Sequence, residues 1–184
     1  PSNCIGVAGR IVEDADPVGN KRGPSMLSKF GSGMLINTLR DYFIYMGTSY
    51  KGRYAPRNPI KYAGDPSKII YRSLWERKFM VFCDTNPSVI KWASEEISIP
   101  YFSPIDNEYH QYYPDFTIKV KDKTNSIKTY LIEIKPEKQC REPEKKKKSN
   151  KTYLHEMTRW VINSKKWEAA TKYAKKQNWE FKIL

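Results

Sequence analysis

Histidine is nearly missing from this sequence. His110 and His155 are the only two in 184 residues. That argues against a metal site built on imidazole ligands and against a Ser-His-Asp triad. Cysteine is scarce as well. Cys4, Cys83 and Cys140 are odd in number, widely spaced and without a Cys-x-x-Cys pair. Neither a disulfide framework nor a zinc knuckle follows from them, and a reducing compartment is expected. No apolar run is long enough to cross a bilayer and no secretory leader is evident, so no membrane partner is expected. Acidic charge is the minority, with 20 Asp+Glu against 33 Lys+Arg and a net charge of +13. An excess of that size attracts polyanions, nucleic acid first. It supplies affinity and no chemistry.

The first 60 residues differ from the rest. Residues 1–32 are rich in Gly, Pro, Ser, Asp and Asn without sustained periodicity, and read as an irregular arm. A short helix is expected over residues 34–44, with Leu35, Leu39, Tyr42 and Phe43 on one side. The chain begins at Pro1, and Met46 reads as an alternative natural start that would leave residues 1–45 outside the domain. The expected division is a largely irregular arm over 1–60 and a folded domain over 61–184.

From Tyr71 onward the signals sharpen. Asp65-Pro66-Ser67 is a turn. Arg72 to Asp84 carries Trp75, Phe79 and Phe82 at helical spacing, and Asn86-Pro87 ends that helix. Glu76 lies on it, either as a solvated helix glutamate or as an acid serving a nearby metal. Ile97 to Phe102 alternates as a strand, and Ser103 to Gln111 reads as a polar loop. Pro136 to Thr152 reads as a basic, low-complexity loop. Its run Lys145, Lys146, Lys147, Lys148 is either a solvated face or a contact to a phosphate backbone. Tyr153 to Val161 is expected to be helical. A second helix capped by Asn163 or Ser164 is expected to run to about Gln177, with Trp179 to Leu184 as a last strand.

Chemistry gathers around Pro114-Asp115 and Ile132-Glu133-Ile134-Lys135. The turn residues Asp122 to Ser126 separate two strands, and a symmetric register about Thr124 sets Asp115 opposite Glu133, Thr117 opposite Leu131 and Lys119 opposite Thr129. Side chains alternate along a strand, so Asp115, Glu133 and Lys135 share one face while Phe116, Ile118, Tyr130 and Ile132 form an apolar underside. Opposed Cβ atoms lie roughly 5 Å apart. Two carboxylates that close repel unless a cation sits between them, and Mg²⁺, with Mn²⁺ as substitute, is the natural one. Asp115 and Glu133 would bind it, the backbone carbonyl of Ile134 could add a ligand, and Glu76 could complete the shell. Lys135 can orient a water and steady developing negative charge. Phosphodiester hydrolysis asks for those parts.

Tyr71-Arg72-Ser73-Leu74-Trp75-Glu76, Pro114-Asp115 and Ile132-Glu133-Ile134-Lys135-Pro136 resemble the PD-(D/E)XK nuclease superfamily. With Gly64-Asp65-Pro66, Asn86-Pro87, Ile99-Pro100-Tyr101-Phe102 and Trp167-Glu168-Ala169-Ala170, residues 62–184 resemble more narrowly the head-completion nucleases of T4-like tailed phages. The TnsA transposon-end nucleases are a more distant likeness. The resemblance implies an α/β fold with a restriction-endonuclease-like mixed central sheet flanked by helices. It also implies a Mg²⁺-dependent DNA endonuclease using Glu76, Asp115, Glu133 and Lys135. Arg72 and the Lys145 to Lys148 run are the expected DNA-binding cations. Phage head or portal proteins are implied partners, in the host cytoplasm or the virion, and a homodimer would serve double-strand cutting. Two other readings compete: a non-catalytic DNA- or capsid-binding protein on the same fold, and a nuclease for branched DNA or transposon ends.

Overall fold

The computed structural model describes residues 50–184 apart from Lys123. The helix expected over residues 34–44, and the arm up to residue 49, lie outside the described residues.

Two short strands open the described chain, β1 (Gly52–Arg53) and β2 (Ile70–Tyr71), which pair antiparallel. Helix α1 (Leu74–Thr85) follows, as the aromatic spacing predicts. Ser73 is its N-cap, in extended conformation, and its hydroxyl accepts from the Glu76 amide at 3.1 Å. Glu76 answers through both oxygens, one accepting from Ser73 Oγ at 2.9 Å and the other from the Arg72 amide at 2.7 Å. This is a reciprocal Ser-x-x-Glu cap of the kind that starts helices. The helix stops at Asn86, whose N–H still reaches Phe82, because Pro87 has no N–H to continue the ladder.

The remaining strands are β3 (Val89–Ser94), β4 (Ile99–Ser103), β5 (Glu108–Tyr112), β6 (Phe116–Lys121), β7 (Ile127–Glu133) and β8 (Glu180–Ile183), with helix α2 (Asn150–Lys176) between the last two. The main sheet runs β3-β6-β7-β8, antiparallel except for the β7–β8 pair, which is parallel. The sheet is thus mixed and carries a helix on each side, as expected. The β6–β7 hairpin adopts the symmetric register, from Phe116 opposite Ile132 to Lys121 opposite Ile127. Asp122 holds the turn by accepting from Thr124 and Ser126 amides, both at 2.9 Å.

Three expectations for the chain's course need correction. Strand β3 was not anticipated. An irregularity between Val89 and Lys91 breaks its alternation, so the period-2 signal is lost. The expected polar loop at Ser103 to Gln111 holds all but the last residue of β5, which pairs with β4 in a separate two-stranded ribbon. A ribbon leaves most of one strand in solvent, and in β5 only Tyr112 is buried, so polar residues are no obstacle. The two C-terminal helices are one. α2 runs unbroken for 27 residues, about 40 Å at 1.5 Å per residue. Its N-cap is Ser149, and Asn163 lies buried in its middle. No Pro or Gly interrupts the segment, so nothing forces a break there. It ends where Asn178 turns to φ 59°, a left-handed position that Asn tolerates.

Both faces of the sheet are covered. On one, Phe116, Ile118, Tyr130 and Ile132 pack with Trp92 and with Phe79, Met80 and Cys83 of α1. The rings of Phe79 and Phe116 lie 4.7 Å apart. On the other, Leu131 packs with Ile99, Tyr101, Tyr112 and Ala170, which ties the β4–β5 ribbon and α2 to the sheet. Asp84, fully buried at the end of α1, fastens residues 54–58. Its carboxylate accepts from Tyr54 Oη at 3.0 Å and from the Arg57 and Asn58 amides at 2.7 and 2.9 Å.

Candidate active site

Strand alternation puts Glu133 on the Leu131 face of β7, the face that α2 and the ribbon cover. Beyond Glu133 the ladder with the C-terminus continues, since Leu184 N–H donates to Glu133 O at 2.8 Å and Lys135 N–H to Leu184 O at 2.9 Å. That pairing holds the chain extended and keeps Lys135 on the side of Glu133. Asp115 stands just before β6, and its Oδ2 accepts from the Ile134 amide at 2.7 Å. The Lys135 ammonium lies 2.9 Å from Glu133 Oε1 and 3.8 Å from Asp115 Oδ2. Three groups far apart in sequence therefore meet at one end of the β6–β7 pair.

Burial and mutual charge at this end of the sheet shift the ionisation of Asp115 and Lys135. Burial first, then the charge of Glu133, pushes the Asp115 carboxyl up to about 7, while Lys135 and the Ile134 amide pull the other way. Burial draws Lys135 down, but Asp115 and Glu133 outweigh it and hold the ammonium above its usual range. Two carboxylates sharing one ammonium keep excess negative charge. Their donor atoms are all hard oxygens, a set that suits Mg²⁺ or Mn²⁺.

Glu76 stands near this centre but does not close it. Its charge adds to the upward push on Asp115, yet both of its oxygens are engaged in capping α1. Among the described residues the one His/Cys/Asp/Glu trio whose ligand atoms all lie within 4.8 Å of one another is Asp106, Glu108 and His110. That trio sits around the β4–β5 turn, with His110 Nε2 2.7 Å from Asp106 Oδ2. Glu76, Asp115 and Glu133 are thus not drawn together to that spacing. Arg72 forms an ion pair with Glu95 and feels the charges of Glu76 and Asp115, which places it beside the centre.

The lysine run lies elsewhere. Lys146 pairs with Glu144 and Lys148 with Glu156, each at 2.5 Å. Both lysines line an open groove of about 530 Å³ with Lys138, Arg141, Arg159 and Trp160, and none of Glu76, Asp115, Glu133 or Lys135 borders it.

Two side chains at the centre escaped the sequence reading. Tyr112 donates to Glu133 Oε2 at 2.5 Å, and burial raises its phenol pKa well above the usual range. Lys166, on α2, sits over the rings of Tyr101 and Tyr112, 5.5 and 5.7 Å from their centroids. The signal for Tyr112 was its place three residues before Asp115. The signal for Lys166 was an inward helical stripe that includes Asn163, Trp167 and Ala170.

Comparison with known proteins adds family to geometry. Residues 86–184 match the family described as TnsA-like endonuclease N terminal. That span contains Asp115, Glu133 and Lys135 and leaves Glu76 outside. The Head completion nuclease of Enterobacteria phage T4 is 38% identical over 140 residues, which cover 74% of this chain and 91% of that protein. No solved structure matches the chain. With that span and that identity, the chain belongs to the TnsA-like endonuclease family.

Proposed function

We propose that this protein is a divalent-metal-dependent DNA endonuclease that hydrolyses phosphodiester bonds while phage heads are being completed. The observation that carries the reading is the convergence of half-buried Asp115 and buried Glu133 on Lys135. Asp115, Glu133 and the Ile134 carbonyl would hold Mg²⁺, with Mn²⁺ as substitute. Bound there, the cation supplies polarisation of a phosphate oxygen and a water of lowered pKa.

The chain's own groups do the rest. Tyr112 fixes one oxygen of Glu133 and so its rotamer. The Ile134 amide does the same for Asp115. Lys135 carries three N–H donors, one engaged with Glu133, so it can orient the attacking water and offset charge growing on the phosphate. Each oxygen of Glu76 keeps a lone pair beside its bond to Ser73 or Arg72, so Glu76 could join the shell without giving up the cap. Otherwise it acts through its field, as the cap of α1. Arg72 and the lysine groove would hold flanking strand, as expected of a chain with net charge +13.

The test is plasmid relaxation in Mg²⁺, in Mn²⁺ and in EDTA, with Asp115→Asn and Lys135→Met alongside wild type. Cleavage should need a divalent ion and be abolished by either substitution. No cleavage in either ion, or equal cleavage by the variants, rejects the proposal in favour of a binding-only role. Linear product that appears without nicked precursor would point to a dimer acting on both strands. Comparison of linear, nicked and branched substrates would identify the preferred DNA shape.

A further inference from the structure

The carboxylate centre carries more negative than positive charge, yet its proposed substrate is a polyanion. Something on the protein has to receive the phosphate backbone beside it. The face on which Glu133 lies is covered by α2, whose inward stripe holds Asn163, Lys166 and Ala170. On a helix, residues three apart are neighbours and side chains lean toward the N-terminus, so Lys166 reaches back along the stripe toward Asn163.

Lys166 differs from the other lysines around it. Lys165 and Lys172 are both taken by Glu168, at 2.9 and 2.7 Å. Among the described residues Lys166 has no carboxylate within 4.0 Å. It is held by the faces of Tyr101 and Tyr112 instead. Cation–π contact positions an ammonium and leaves its N–H donors open. It feels Glu133, Asp115 and Lys135, so it lies on the border of the centre. Asn163 is 8% exposed and makes no side-chain hydrogen bond among the described residues. Its amide is not among the fully sealed unpaired atoms, so it keeps a path outward. A buried amide without a partner is a poor choice for packing alone.

We propose that Lys166 and Asn163 form a phosphate-binding subsite on α2, which grips non-bridging oxygens of the DNA strand next to the bond that Asp115, Glu133 and Lys135 attack. The subsite rests on the nuclease reading above. It takes a phosphodiester, reads no base, and sets the strand's position against the carboxylates.

The experiment measures binding of a short labelled DNA duplex to the full chain in EDTA, across a salt series. Each neutralised phosphate contributes a slope of about 0.9 in log Kd against log salt, so Lys166→Met should lower the slope by about 1. Lys166→Arg should keep the wild-type slope, and Lys172→Met, on the outer face, should leave it unchanged. Asn163→Asp, which swaps an amide for a carboxylate of equal size, should weaken binding most at low salt. In Mg²⁺, Lys166→Met should raise KM for cleavage with kcat held. Should Lys166→Met fail to fold by circular dichroism, Lys166→Gln takes its place in both assays. A wild-type slope in the variant, with duplex binding intact, overturns this subsite alone. Wild-type protein that neither binds nor cuts DNA overturns the subsite and the nuclease reading together.

Discussion

Replacing Lys135 by Met would keep most of the side-chain volume and remove the one ammonium that lies between Asp115 and Glu133. Its side chain is 27% exposed, and those of its partners are 17% and 4% exposed. Taking one member from a buried ion pair costs about 3–5 kcal/mol, because the partner charge is left uncompensated. The lower end applies here, since an Asp115 carboxyl already up to about 7 can take a proton and relieve the repulsion. At about 3 kcal/mol, and about 2–4 °C per kcal/mol for a chain of this size, Tm in EDTA should fall by about 6–12 °C. A divalent ion should then recover more in the variant than in wild type, because it no longer competes with Lys135 for the same oxygens. At about a hundred times its Kd a ligand adds about 2.7 kcal/mol, enough to close most of the gap. Thermal unfolding by circular dichroism, in EDTA and in Mg²⁺, reads both shifts. A variant as stable as wild type in EDTA, or one that gains less from Mg²⁺ than wild type does, would refute the reasoning. Cleavage should be lost in either case, because stability restored by the ion does not restore the ammonium.

Asp84→Ala removes the acceptor of three hydrogen bonds inside the protein and leaves two amides and a phenol unpaired. The expected loss is about 3–5 kcal/mol by urea unfolding, against about 1 kcal/mol for Tyr54→Phe, which removes a single donor. Tyr112→Phe keeps the ring under Lys166 and deletes the bond to Glu133. Stability should drop by about 1.5–3 kcal/mol, and kcat should fall with little change in KM, as measured by steady-state cleavage. High pH should unfold the protein. Burial raises the phenols of Tyr54, Tyr62 and Tyr112, Tyr62 to about 12. The stability these neutral phenols contribute is complete below their unfolded pKa of about 10 and is lost as pH rises through the folded values. The part of the tyrosinate absorbance that comes from these three phenols should therefore rise in step with loss of the circular-dichroism signal. Full ionisation of the tyrosines near pH 10 with the fold intact would contradict this.

Local chemistry was readable in the sequence. The Asp122 to Ser126 turn and the alternation on either side determined the β6–β7 register, and with it the approach of Asp115 to Glu133. Helix α1 and its stop at Asn86 followed from aromatic spacing and Pro87. The Ser73 to Glu76 cap was written in the sequence too, although Glu76 read there only as solvated or metal-bound. Such features depend on residues a few positions apart, where turn geometry and side-chain period act directly. Strand β3 with its irregularity, ribbon strand β5 and the continuity of α2 were decided otherwise. β3 and α2 gain their stability from partners distant in the chain, β6 and the Leu131 face, while β5 pairs with its neighbour β4 in an exposed ribbon where polar residues carry no strand alternation. Only the folded arrangement put Tyr112 on Glu133, Lys166 over Tyr112, and Asp84 against residues 54–58. The sequence determined which groups could do chemistry. The parallel crossover through α2 decided which of them share a pocket, because long-range packing, and no local period, sets which face a helix lays against a sheet.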